Sequence, residues 1–147
     1  KKYFDEHQKC VHCTMLEWER TRKERVIFEN DLFIAFCPYV SRTAFETRIF
    51  PKIHQPRFEM ITEEDRISAA GALSAVLKKM SSALNNPPYN FFIHTAPCKA
   101  VGADHYHWHI EILPKTAIWA GFELGTGIEI CSVKPEDAAK HLRKLKV

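Results

Sequence analysis

The segment DHYHWHIEILP, residues 104–114, constrains the fold more than any other stretch of the chain. His105, His107 and His109 alternate with Tyr106, Trp108 and Ile110, and the alternation continues to Ile112. A period of two belongs to a strand, whose successive side chains leave opposite faces. The spacing predicts three imidazoles on one face, about 6.5–7 Å apart at each step, backed by an apolar face of Tyr106, Trp108, Ile110 and Ile112. Exposed strand faces ordinarily carry Lys, Glu and Thr. The row is therefore either an unusual wet face or a metal- or phosphate-handling row on a rigid apolar backing.

Such a strand needs a sheet around it, and the sequence supplies one. RVIFEN and LFIAFCPY predict two strands joined by a tight turn at Asn30-Asp31. AFETRIFPK alternates, with Phe45, Thr47 and Ile49 on one side, and predicts a third. YNFFIHT gives a fourth and HYHWHIEIL a fifth. Between the third and fourth, Thr62 and Asp65 form a capping-box-like start to a long helix. Ile67, Ala70, Leu73, Leu77, Met80 and Leu84 give that helix a predicted core stripe, and the prolines of NNPPYN end it. TMLEWERTRKE predicts a short helix or loop after a CVHC turn. GFELGTGIEICSV holds three of the chain's five glycines and predicts a Gly-rich loop leading into a last strand. Pro135 opens a C-terminal helix, with Glu136 and Asp137 where the helix dipole favours acids. The order indicates a single α+β domain over residues 1–147, with a mostly antiparallel sheet, one long helix and a C-terminal helix.

Composition removes several classes of function. A net charge of +3 is too small to argue for a nucleic-acid or membrane-surface partner. No apolar run approaches a membrane span, and KKYFDEHQKC is too polar for a signal peptide. Five cysteines, an odd number with a close pair at Cys10 and Cys13, suit a reducing compartment, and a cytoplasmic location is expected.

C-x-x-C serves both redox and metal chemistry, but no parallel βαβ pattern surrounds this pair. As zinc ligands two thiolates need two more donors, for which imidazole is the usual complement. His12, His54, His94 and the three strand histidines are candidates. His12 lies inside the pair and is expected to point away from a metal held by its neighbours, whereas His54 sits at the exit of the third strand.

CVHC, ETRIFPKIH, LNNPPYNFFIHTAP, HWHIEILP and GFELGTG, in this order, resemble the C-terminal half of the galactose-1-phosphate uridylyltransferase family, within the histidine-triad superfamily. The likeness runs from Cys10 to about Leu142. It implies a histidine-triad-like α+β unit that pairs with a similar half-domain, in the same chain or in a homodimer. It implies transfer of a uridylyl group from a nucleotide sugar to a sugar phosphate through a uridylyl-histidine, with adenylyl transfer in a close relative. Carried over, it places zinc on Cys10, Cys13, His54 and His107, the nucleophile slot at His109, and sugar contacts at Phe122, Gly125, Thr126 and Gly127. Glu111 then stands where the family has Gln or His, an acid that would repel phosphate. A second register, on His105, His107 and His109, would make His107 the nucleophile. Some relatives hold iron on positions matching His94, His107 and His109, but the thiolate pair favours zinc. The family's own nucleophile strand belongs to the N-terminal half, so chemistry from this chain alone is not expected.

Overall fold

The computed structural model describes residues 1–99 and 101–145. Its centre is a five-stranded sheet in the order β1-β2-β3-β5-β4, with every neighbouring pair antiparallel. The strands are β1 (Val26–Glu29), β2 (Phe33–Phe36), β3 (Thr47–Pro51), β4 (Tyr89–His94) and β5 (His109–Pro114). The first hairpin closes through Asn30, whose Oδ1 accepts from the backbone N–H of Leu32 and Phe33 at 3.2 and 2.7 Å. That side-chain mimicry of a turn is why Asn suits the position.

Two layers of helix cover β1–β3, one on each side. On one face α3 (Glu63–Leu84) and α5 (Pro135–Arg143) bury Ile27, Phe33, Ala35, Ile49, Trp108, Ile110 and Ile112. On the other, α2 (Val11–Arg22) packs Leu16 against Val26, Ile34, Phe36 and Phe50. β2 is thus buried throughout, which explains its unbroken apolar sequence. β4 forms one edge of the sheet, and all six of its residues are exposed. No helix among the described residues is long and apolar enough to cross a membrane.

Thr62 caps α3 in a complete capping box with Asp65, and Asn85 ends it in the left-handed conformation at φ 56°. The buried side of α3 is Ala69, Ala72, Val76 and Met80, with Leu73 and Leu77 half-buried. Ile67 and Ala70 of the expected stripe face solvent. The alanines let the helix approach the sheet, so the stripe is turned by about one residue from the one the larger side chains suggest.

Three further expectations are corrected. CVHC is the start of α2, with Cys10 as its N-cap, rather than a turn. A short helix, α1 (Lys2–His7), precedes it and buries no residue, so it left no apolar period to read. GFELGT is a helix, α4 (Gly121–Thr126), ended by Gly127 at φ 70°, and no strand follows it among the described residues. Glu123 accepts from the N–H of Ala120 at 3.2 Å, capping a turn that glycine content alone does not announce. Val133 then packs against the core and leads into α5.

The histidine row is shorter than its alternation suggests. β5 begins at His109; His107 and Trp108 precede it, and His105 lies in a turn whose carbonyl approaches Cys10 Sγ at 3.4 Å. The alternation of faces holds from Trp108 to Ile112, with the apolar members in the core.

Candidate metal centre and histidine pocket

Cys10, Cys13, His54 and His107 converge from three parts of the chain, with one ligand atom of each within 4.8 Å of the others. The first turn of α2 brings both thiols, the loop after β3 brings His54, and the lead into β5 brings His107. Gln55 fixes that meeting. Its backbone oxygen accepts from Trp108 N–H at 2.9 Å, its Oε1 from the Trp108 indole at 3.0 Å, and its Nε2 donates to Asp65 at 3.3 Å. The α3 cap, the His54 loop and the β5 lead are thereby tied together.

His107 has one tautomer open to it. Its Nε2 lies 3.0 Å from the carbonyl of Pro51, which can only accept, so Nε2 carries the proton. Nδ1 is left with its lone pair, 3.5 Å from Cys13 Sγ, and His54 Nδ1 lies 3.2 Å from the same sulfur. Carbonyl-anchored imidazoles of this kind are the usual outer support of metal-bound histidines. In a tetrahedral zinc site the ligand atoms stand roughly 3.4–3.8 Å apart, close to these spacings. Burial, and then Cys10, push the Cys13 thiol up to about 11, while burial and then His54 hold His107 down to about 4. The cluster is a set of two sulfurs and two nitrogens, and the residues present fit zinc.

The second cluster lies two residues further along. His109 Nδ1 donates to the His107 carbonyl at 3.1 Å, which leaves Nε2 with a free lone pair. The ring is stacked between Phe50 at 4.4 Å and His94 at 4.7 Å, with His12 tilted against it at 5.2 Å. Burial lowers its pKa to about 3, so it is neutral at pH 7. His94, His109 and Glu111 each offer an atom within 4.8 Å of the others, two nitrogens and a carboxylate that could also hold a cation.

Glu111 is not the bare acid expected. Arg48, its cross-strand partner on β3, lies 3.3 Å from Oε2, and Arg42 lies 3.7 Å from Oε1. Arg48 also pairs at 2.8 Å with the fully buried Glu46, whose other oxygen accepts from the Arg42 backbone. His94 Nε2 stands 3.7 Å from Glu111. Two guanidiniums offset the charge, and the repulsion inferred from Glu111 by itself is correspondingly reduced.

His12 is absent from the thiol cluster, as expected, and its ring faces His109 and Phe50 instead. Nothing singled out Phe50, Arg42 or Arg48 in the sequence. Pairing AFETRIFPK beside the histidine strand would have found Arg48, because a residue flanking Ile49 takes the opposite face. Phe122, Gly125, Thr126 and Gly127 are all exposed on or just after α4. Thr126 Oγ1 is occupied within that turn, donating to the Phe122 carbonyl at 2.8 Å. Glu129, just beyond, pairs with Arg42 at 3.2 Å and links this segment to the Glu111 network.

An antiparallel α+β unit carrying a thiol–imidazole cluster beside a stacked histidine pocket is what fold and site together define. The chain belongs to the galactose-1-phosphate uridyl transferase family, matching its C-terminal domain over residues 1–146. It is 37% identical over 147 residues to ADP-glucose phosphorylase of Arabidopsis thaliana, covering 99% of this chain and 40% of that protein. A crystal structure of an ADP-glucose phosphorylase from Arabidopsis thaliana with bound ADP-glucose has a TM-score of 0.85 at 34% identity, over 99% of this chain and 46% of that one. Galactose-1-phosphate uridylyltransferase of Thermotoga maritima is 31% identical over 155 residues, covering 100% of this chain and 48% of that protein. A zinc-bound histidine triad family protein from Mycobacterium smegmatis shares the fold, with a TM-score of 0.63 at 17% identity over 93% of this chain and 92% of that one. The chain thus spans less than half the length of the curated relatives it matches.

Proposed function

We propose that this chain is one half of a nucleotidyltransferase that exchanges a nucleotidyl group between a nucleotide sugar and a sugar phosphate or phosphate. Family membership across residues 1–146, with relatives named for uridylyl transfer and ADP-glucose phosphorolysis, is the observation that carries this reading. In it Cys10, Cys13, His54 and His107 hold Zn2+, which supplies a cross-link between α2 and the sheet and no reaction step. Phe122, Gly125, Thr126 and Gly127 supply substrate contacts. The partner half docks along β4, an unpaired edge whose Tyr89, Phe91, Phe92 and Ile93 are 39–53% exposed. Five free cysteines support a reducing setting such as the cytoplasm.

A second reading makes His109 the nucleophile of a free-standing homodimer, and its unprotonated Nε2 favours it. There Nε2 forms a bond to the α-phosphorus of the nucleotide sugar while the phosphorus–oxygen bond to the sugar phosphate breaks. The incoming phosphate oxygen then displaces the histidine, restoring its lone pair. Arg48 and Arg42 stand near enough to Glu111 to moderate charge in that pocket.

The assay that decides supplies the purified chain with UDP-glucose and galactose 1-phosphate, and separately with ADP-glucose and phosphate. The half-domain reading expects no sustained turnover from this chain and turnover from a protein of its relatives' length. Multiple turnovers by the chain alone, abolished in His109→Ala, establish the free-standing enzyme instead.

A further inference from the structure

The two thiols share the first turn of one helix, and only one of them is open to solvent. Cys10 is the N-cap of α2 and is 3% exposed, while Cys13 sits three residues on and is half-buried. Residues so placed have Cα atoms about 5.5 Å apart, inside the span of about 4.4–6.8 Å that a disulfide bridges. Their sulfurs belong to a cluster whose ligand atoms all lie within 4.8 Å. The exposed His54 stands with Nδ1 3.2 Å from Cys13 Sγ.

We propose that Cys10 and Cys13 are also a dithiol–disulfide pair, so that the metal centre is a redox-sensitive latch that a low-molecular-weight disulfide such as glutathione disulfide opens when metal is not bound. This rests on the reading of the four donors as a metal centre. Cys13 gives its proton to water and attacks one sulfur of glutathione disulfide; the S–S bond breaks, and the leaving thiolate takes a proton back from water as glutathione. Cys10 then attacks Cys13 Sγ, forming the Cys10–Cys13 bond as the Cys13–glutathione bond breaks, and the proton that Cys10 loses ends on the departing thiolate as a second glutathione. Two protein thiols are oxidised and one disulfide is reduced to two thiols, so atoms and electrons balance. The assignment of roles follows from access, because the half-buried sulfur of Cys13 can meet the oxidant and the buried one of Cys10 must resolve the adduct. The oxidised pair has no thiolate left for zinc, and the N-terminal turn of α2 loses its tie to the sheet.

The test treats the purified protein, stripped by a chelator, with glutathione disulfide and follows intact mass and peptide maps, with and without one equivalent of zinc. The expected result is loss of two hydrogens with a Cys10–Cys13 linked peptide, slowed roughly tenfold or more by zinc, and zinc uptake restored by a dithiol reductant. In Cys10→Ser the glutathione should remain on Cys13. A Cys98→Ser, Cys131→Ser double variant should behave as wild type, since neither residue takes part. Stable glutathione on Cys13 in the unaltered protein, with Cys10 still a free thiol, overturns the proposal. A linked pair whose formation zinc does not slow, in a protein that takes up no zinc, retains the disulfide chemistry and sinks the metal reading on which the latch depends.

Discussion

The two clusters sit on the same face, two residues apart along one segment, yet they are built in opposite ways. Around Cys10, Cys13, His54 and His107 the donors are two sulfurs and two imidazoles, and a backbone carbonyl anchors the one buried imidazole. Around His109 the rings are stacked, and the polarity comes from a line of charges: Glu46, Arg48, Glu111 and Arg42. Among the described residues the sulfur–nitrogen set holds no ion pair, whereas the second cluster sets two guanidiniums against two carboxylates. One gathers donors of the kind that fit zinc, and the other is laced by ion pairs.

Removing a thiol is the strongest test of that contrast. Cys13→Ala should reduce bound zinc from about one equivalent to a small fraction, and the melting temperature should fall by roughly 10 °C or more. His109→Ala should keep the metal. Equal zinc loss in both variants, by elemental analysis, would merge the two sites into one.

Arg48→Ala comes next. It leaves Glu46 buried without its guanidinium and strips Glu111 of its nearer cation, for an expected loss of about 2–4 kcal/mol in urea unfolding with zinc retained. Glu111→Gln should cost less than about 1 kcal/mol, because Arg48 still has Glu46. A cost in Glu111→Gln as large as in Arg48→Ala would show that the charges do not balance as drawn.

Acidity probes the metal-free chain more gently. His107 and His109 are held at about 4 and about 3 by burial, below the ordinary imidazole value near 6.5. Between those limits the unfolded chain binds protons that the folded chain refuses, so stability is full above about pH 6.5 and declines as pH falls toward 4. The slope approaches roughly 1.4 kcal/mol per pH unit for each imidazole. His109→Phe should flatten that slope; an unchanged profile from pH 7 to 4 would place both rings in contact with water. The smallest effect belongs to Phe122→Ala, which should shift stability by no more than about 0.5 kcal/mol because the ring is exposed. Any change it brings should appear in substrate KM.

The sheet was legible because alternation and turn chemistry are local: Asn30, Thr62, the prolines after Asn86 and Pro135 each mark a boundary that the fold keeps. The thiol cluster was legible for a different reason: donor type left six histidines open beside the C-x-x-C pair, and the resemblance to the family picked out His54 and His107. The charge network was not, because Glu46, Arg48 and Glu111 meet only across the β3–β5 register, which no single segment encodes. Helix α4 was missed because its hydrogen bonds, not an apolar face, hold it together. His105 was overread, since alternation persists in sequence past the point where the ladder stops.

The first turn of α2 sends consecutive side chains to two destinations: Cys10 and Cys13 to one cluster, His12 to the other. Each added residue rotates a helix by about 100°, so one insertion between the cysteines would turn His12 off His109 and carry a sulfur out of reach of His54 at the same stroke. The tripeptide step from Cys10 to Cys13 is thus fixed twice over, by two sites with different chemistry. A chain of this design can change either pocket by substitution, but the spacing at the head of α2 is one length that neither can alter without the other.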